Sequence, residues 1–86
     1  MIWLNGEFLN SDTTISANDR GLLLGEAVFE TILAKNSTPT QWPAHMGRLG
    51  QACALFGFAI PYDAACLHAA AVDLLTQNTP TENRAV

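Results

Sequence analysis

Apolar and polar residues alternate in short blocks over the first half of the chain and recur at helical spacing over the second. Ile2-Trp3-Leu4 and Glu7-Phe8-Leu9 flank Asn5-Gly6. Asn-Gly suits a type I′ turn, which needs positive φ at both central residues, so this segment reads as a tight β-hairpin. Residues 11–18 are polar and Thr-rich, with room for one short edge strand around residues 13–15. Asp19-Arg20-Gly21 then starts a turn. Residues 27–34 are rich in β-branched and aromatic side chains, which favours a strand. On that strand Phe29, Thr31 and Leu33 share one face, and Val28, Glu30, Ile32 and Ala34 the other. Glu30 therefore stands among apolar neighbours, a place for a carboxylate that serves a site or pairs with a cation. Residues 35–39 read as a hairpin loop and residues 40–42 as the returning strand.

From Pro43 the period changes. Proline is tolerated in the first helical turn, where its missing N–H costs nothing. Met46, Leu49, Cys53 and Phe56 follow at spacings of three, four and three. They form one apolar stripe, and Gly57 is suited to end the helix. His45 and Arg48 stand one turn apart on an edge of this helix. Gly47 and Gly50 lie inside it, which points to close approach of a backbone or ligand. Asp63 is a natural N-cap for a second helix. Leu67, Ala70, Ala71, Leu74 and Leu75 form that helix's buried face, which ends near Asn78. Residues 79–83 read as a loop and residues 84–86 as the start of a strand, with Arg84 in solvent contact. Hairpins followed by helices define an α+β fold, a small antiparallel sheet backed by two helices, in one domain over residues 1–86. A chain that stops while beginning an element also suggests part of a larger protein.

Composition sharpens this picture. The chain has 86 residues, 49% of them hydrophobic and 14% charged. A domain of this length buries only roughly 60–65% of its unfolded surface. Part of the apolar surface is therefore expected to meet a second domain or a partner chain. The net charge is −4, and Arg20, Lys35, Arg48 and Arg84 are the cations. Four scattered cations make no basic patch, which argues against nucleic-acid binding. No apolar run approaches the roughly 20 residues of a membrane span, and no signal peptide is visible. A cytoplasmic location is expected. Cys53 and Cys66 have no metal-ligand spacing and read as buried free thiols. His45 and His68 lie on different helices and read as helix-edge histidines.

No dinucleotide, P-loop, zincin or nucleophile-elbow motif is present. Three features stand out instead: Asp19-Arg20-Gly21 with Gly25-Glu26, then Phe29-Glu30-Thr31, then His45-x-x-Arg48-Leu49. A guanidinium on a helix edge is shaped to hold a phosphate by paired hydrogen bonds. In this order, "NDRGLLLGEAVFETI" followed by "HMGRL" resembles the N-terminal signature of class IV aminotransferases. "IWLNGEFL" resembles how such chains begin. These are fold type IV pyridoxal-phosphate (PLP) enzymes and include branched-chain aminotransferases, D-amino acid aminotransferases and aminodeoxychorismate lyases.

The resemblance implies PLP as cofactor and Arg48 as the arginine that binds its phosphate. It implies Phe29 as a substrate-pocket residue with Thr31 beside it, and structural roles around the site for Glu30 and Arg20. It further implies a small α+β N-terminal domain, amino and keto acid substrates, and a homodimer. The sequence departs from the family pattern at Leu24, where an aromatic is frequent, and at Glu26-Ala27, where Asp-Gly is. Thr31 stands where branched-chain members favour Gly, which leans toward the D-amino acid aminotransferase or lyase side.

The lysine that such an enzyme requires lies in a C-terminal domain of the family. Lys35, this chain's only lysine, matches no catalytic position. Residues 1–86 are thus expected to contribute no catalytic residue and to be inactive alone. The other readings are a stand-alone interaction module that binds through its Ala-rich helices, and a small binding domain whose motif match is fortuitous.

Overall fold

In the computed structural model the described residues are 1–78 together with the backbone of Arg84 and Ala85. The first two strands are β1 (Ile2–Leu4) and β2 (Glu7–Leu9), paired antiparallel with Trp3 opposite Phe8. The turn between them has φ 51° at Asn5 and 90° at Gly6, the two positive values that a type I′ turn demands. Gly6 also meets Tyr62, whose hydroxyl would lie 3.0 Å from a Cβ placed there. Tyr62 sets its ring edge-on to Trp3 at 5.0 Å. The N-terminal ammonium of Met1 donates to Asn78 Oδ1, and Asn78 Nδ2 donates back to the Met1 carbonyl. The hairpin is thereby fastened at one end to Tyr62 and at the other to the last helix.

Residues 13–15 form no strand. Thr13 N–H instead donates to the Asn10 carbonyl in a turn, and the segment is exposed. The next element, α1 (Arg20–Leu24), is a helix where the sequence suggested only a turn. Asp19 caps it through a bond from the Gly21 N–H to Oδ2 at 3.0 Å. Gly25 closes it in the left-handed region at φ 67°. Five residues with both ends satisfied suffice for a single turn.

The period-two pattern of residues 27–35 is real in burial. Val28, Glu30, Ile32 and Ala34 are turned inward, while Ala27, Phe29, Thr31, Leu33 and Lys35 are exposed. The ladder is much shorter than the pattern. Only β3 (Leu33–Lys35) is paired, with β4 (Thr38–Pro39) on one side and β5 (Arg84–Ala85) on the other. All three strands are antiparallel in the order β4-β3-β5. The reason is that β4 ends early. The β3–β4 turn is just Asn36-Ser37, at φ 51° and 58°, so the return strand occupies residues 38–39 rather than 40–42. Gln41 at φ 55° then redirects the chain into a helix, and Trp42, expected in the strand, opens it. The pairing of Arg84 and Ala85 with β3 agrees with the expected strand start. The loop expected at residues 79–83, the Arg84 side chain and Val86 lie outside the described residues.

Helix α2 (Trp42–Phe56) has its proline in the first turn and Gly57 as a left-handed cap at φ 77°. Its stripe is only partly used: Cys53 is buried, Met46 and Leu49 are half-buried, and Phe56 is exposed. Among the described residues no protein atom from outside the helix backbone lies within 4 Å of a Cβ built on Gly47 or Gly50, so no other backbone of this chain approaches them there. Helix α3 (Ala64–Asn78) is capped by Asp63, whose Oδ1 accepts the Cys66 N–H at 2.7 Å. That first turn faces solvent, so Cys66 is exposed while Cys53 is buried, both as free thiols. The helix packs against β4 and β1. The Trp42 indole N–H donates to the Ala64 carbonyl, joining the starts of α2 and α3.

The buried core consists of Ile32, Ala34, Cys53, Ala70, Ala71 and Leu75, of which three are alanines. The Ala face of α3 is therefore turned inward. Leu22, Leu23, Leu24, Phe29 and Leu55 stand exposed instead. The molecule is thin, 37 × 30 × 18 Å. Its radius of gyration of 13.6 Å exceeds the roughly 12 Å expected for a closely packed chain of this length. These dimensions and the exposed leucines fit the expectation of apolar surface in excess of what one small domain covers.

Candidate functional site

The inward face of the strand segment and the first turns of α2 meet at Glu30. Alternation along residues 27–35 directs its carboxylate away from solvent, and the side chain is 15% exposed. An isolated carboxylate in that position would be costly, and two partners on α2 compensate it. Arg48 Nε donates to Glu30 Oε1 at 3.0 Å and Arg48 Nη2 to Oε2 at 3.3 Å. His45 Nδ1 lies 2.7 Å from Glu30 Oε2. A bare nitrogen lone pair that close to a carboxylate would be repelled, which assigns the proton to Nδ1 and makes the ring the donor. Arg48 Nη2 also lies 3.0 Å from that same nitrogen. With the Nδ1 proton committed to Glu30, this second contact places the guanidinium beside the ring without a hydrogen bond.

Helix geometry explains the cluster. His45 and Arg48 are three residues apart, so their side chains rise on one edge of α2 and converge on a single carboxylate. Hydrogen bonds from Arg48, and then from His45, hold the Glu30 carboxyl below the usual carboxylate range. The Arg48 guanidinium is raised further by Glu30. Glu30 and His45 are largely enclosed, whereas Arg48 remains 59% exposed. The cluster thus fixes an arginine from behind and presents it to solvent. A guanidinium carries five N–H groups, and Glu30 engages two of them. The remaining ones can serve a second anion.

Phe29 and Thr31 are on the opposite, outward face of the same segment. Phe29 is 87% exposed, and Thr31 is exposed beside it. Among the described residues the structure does not gather Phe29, Thr31 and Arg48 into one enclosed cleft. It presents a wall and, across the strand, an anchored cation. Arg20, the remaining arginine of the motifs, belongs to a separate clasp. Its Nε and Nη2 donate to Glu26 at 2.7 and 2.8 Å, bridging the two ends of α1. Lys35 is exposed at the end of β3.

Sequence reasoning left two answers open for Glu30, and the structure gives the second, pairing with a cation. It did not anticipate that His45 joins that pair. The signal was available in the shared helix edge of His45 and Arg48, but nothing local said which strand residue faces them. His68 sits against Trp42, ring edge to face at 5.1 Å. Among the described residues no group of three or more histidine, cysteine and acidic side chains could hold a metal ion. No helix there is long and apolar enough to cross a membrane.

The profile of the amino-transferase class IV family matches residues 27–86. The match spans most of the chain and includes the Phe29-Glu30-Thr31 segment, His45 and Arg48. The chain belongs to the class IV aminotransferase family. Comparison with curated proteins and with solved structures returns no significant match.

Proposed function

We propose that this chain supplies the arginine that binds the PLP phosphate, and one wall of the substrate pocket, to a class IV aminotransferase-like enzyme. The reaction is amino-group transfer between amino and keto acids, or aminodeoxychorismate lyase-type elimination. One observation carries this reading: the Arg48 guanidinium is held from behind by Glu30 and turned to solvent on α2. That arrangement fits a phosphate monoester, which accepts paired N–H donors in the plane of the fork. Preorganisation adds to the fit, because an arginine already held loses less freedom on binding.

PLP, when bound, supplies an electron sink for breaking bonds at the amine-bearing carbon. The residues present would contribute around it. Arg48 would anchor the phosphate. Glu30 and His45 would keep Arg48 in place. Phe29 and Thr31 would offer an apolar surface with one hydroxyl to the substrate. No lysine of this chain stands at the family's catalytic position, so the domain is proposed to be inactive by itself. The lysine would come from a C-terminal domain of the same protein, in a cytoplasmic homodimer.

The test is binding of PLP and of unphosphorylated pyridoxal by calorimetry, with Arg48→Ala beside the unaltered protein. The expected result is a preference for the phosphorylated form that Arg48→Ala lowers by roughly 10- to 100-fold, the loss of a charge-assisted contact. Equal affinity of the variant and the unaltered protein for PLP would overturn the assignment. A visible cofactor band in the purified protein, read with its intact mass, reports whether a lysine-bearing partner is present.

A further inference from the structure

The imidazole of His45 is held at one ring nitrogen and open at the other. Nδ1 is engaged by Glu30 Oε2 at 2.7 Å, with Arg48 Nη2 3.0 Å away. Among the described residues nothing is hydrogen-bonded to Nε2, and no buried side-chain nitrogen or oxygen lacks a partner. Nε2 therefore keeps contact with solvent, although the side chain is only 13% exposed. Glu30 from the strand segment and Arg48 from α2 are the charged groups on the ring. On α3, His68 is set against Trp42, and Cys66 and Asp73 make no hydrogen bond or ion pair with His45.

The charge of this cluster depends on one proton. A guanidinium stays protonated throughout. The Glu30 carboxyl, held below its usual range by Arg48 and His45, stays ionised near neutrality. With His45 neutral these two charges cancel. Proton uptake at Nε2 leaves the Nδ1–H bond to Glu30 in place and gives the cluster one net positive charge. Histidine is the side chain whose chemistry allows that change between pH 5 and 8. Glu30 takes Nε and one hydrogen of Nη2, so an anion meets the other end of the Arg48 fork, beside the ring. We infer that His45 is a positioning residue whose Nε2 proton sets the anion affinity of Arg48. Protonated, it strengthens the site; neutral, it leaves the charge of Arg48 balanced by Glu30. The inference rests on the reading of Arg48 as the phosphate-binding arginine and adds its regulation. A phosphate monoester carries its second charge only above about pH 6. The cluster gains charge where such a ligand loses it, so the two changes oppose each other and level the affinity across that range.

Inorganic sulfate separates the two changes, because it keeps both charges throughout. It is titrated between about pH 8 and about pH 5.5 at constant ionic strength. Binding is read by NMR at the Arg48 guanidinium carbon, and the His45 and His68 ring signals are followed over the same range. Affinity is expected to rise roughly threefold to tenfold towards acid, the Coulomb effect of one added charge on a nearby dianion in a medium close to water. It is expected to follow the His45 signal. In His45→Asn the amide can still donate to Glu30 but gains no charge, so affinity should change by less than about twofold. A pH-independent affinity in the unaltered protein, a dependence that follows His68, or one that persists in folded His45→Asn would overturn the inference. The ring signals of the unaltered protein decide the matter where that variant does not fold. Arg48→Ala tells the two readings apart. Binding that is lost in Arg48→Ala but ignores His45 sinks this inference alone. Sulfate binding equal in Arg48→Ala and the unaltered protein, or absent from both, overturns the Arg48 assignment and this inference with it.

Discussion

Two arginine–glutamate pairs of nearly the same geometry serve different ends in this molecule. Arg20 and Glu26 are six residues apart, and their bidentate contact clasps α1 across its own length. Arg48 and Glu30 are eighteen apart, and their contact ties a helix to a strand segment. Arg20 is 74% exposed and its glutamate 29%, whereas Glu30 is more enclosed and has His45 as a second donor. A local clasp joins the two ends of one short helix. A long-range tie fixes the relative position of two elements and, with it, the one guanidinium presented at their junction. The difference teaches that the energetic weight of an ion pair lies in what it connects and how far water is excluded.

Substitutions beside each pair sharpen the contrast. Ile32, buried next to Glu30, should cost about 2–4 kcal/mol when cut to alanine, by lost burial and the void left behind. Leu23, exposed within the local clasp, should change stability by less than about 0.5 kcal/mol on the same substitution. Chemical denaturation of both variants measures this. Equal losses would show that the clasp belongs to the core. A smaller effect is expected at Gly25, where φ is 67°. Gly25→Ala should cost about 1 kcal/mol through the left-handed backbone, detectable as a lower denaturation midpoint. No loss would mean that α1 ends differently in solution.

Acid separates the pairs further. Both glutamates have carboxyl values below the usual range, Glu30 through Arg48 and His45 and Glu26 through Arg20. A depressed folded value means that the stabilisation is complete above the unfolded carboxylate value, near about 4.3. It is lost as pH falls through the lower, folded value. Glu30→Gln should therefore destabilise the protein near neutrality and flatten the fall in stability below about pH 4. Glu26→Gln should do the same by a smaller amount, and that amount should shrink further with added salt because the pair is in solvent. Melting temperatures across pH and salt read both. A Glu26→Gln effect as large as that of Glu30→Gln would end the distinction.

The elements differ in how far they could be read from the chain. The first hairpin was legible to the residue because Asn5-Gly6 states its turn locally. Helix α3 was legible because Asp63 caps it and its apolar positions recur at helical spacing. The inward and outward faces of residues 27–35 were correctly divided, Glu30 from Phe29 and Thr31. The extent of pairing was not, since a ladder depends on where partners begin and end. The β3–β4 hairpin was read, but as a loop over residues 35–39 rather than a two-residue turn at Asn36-Ser37, so the return strand was set too late and Trp42 was placed in it. Helix α1 was missed because five residues give no period. Gly47 and Gly50 suggested close approach of a backbone or ligand, and among the described residues no other backbone comes near them.

What the sequence by itself determined is the family, the α+β class, the two long helices and the side of the strand on which each candidate residue stands. Those follow from local turn chemistry, capping, periodicity and motif order, which act over a few residues. What only the tertiary structure decided is that Glu30, His45 and Arg48 form one cluster. Contacts between residues fifteen or eighteen positions apart depend on how helix and strand are laid against each other. That placement is set by the summed packing of many side chains, which no short stretch of sequence encodes.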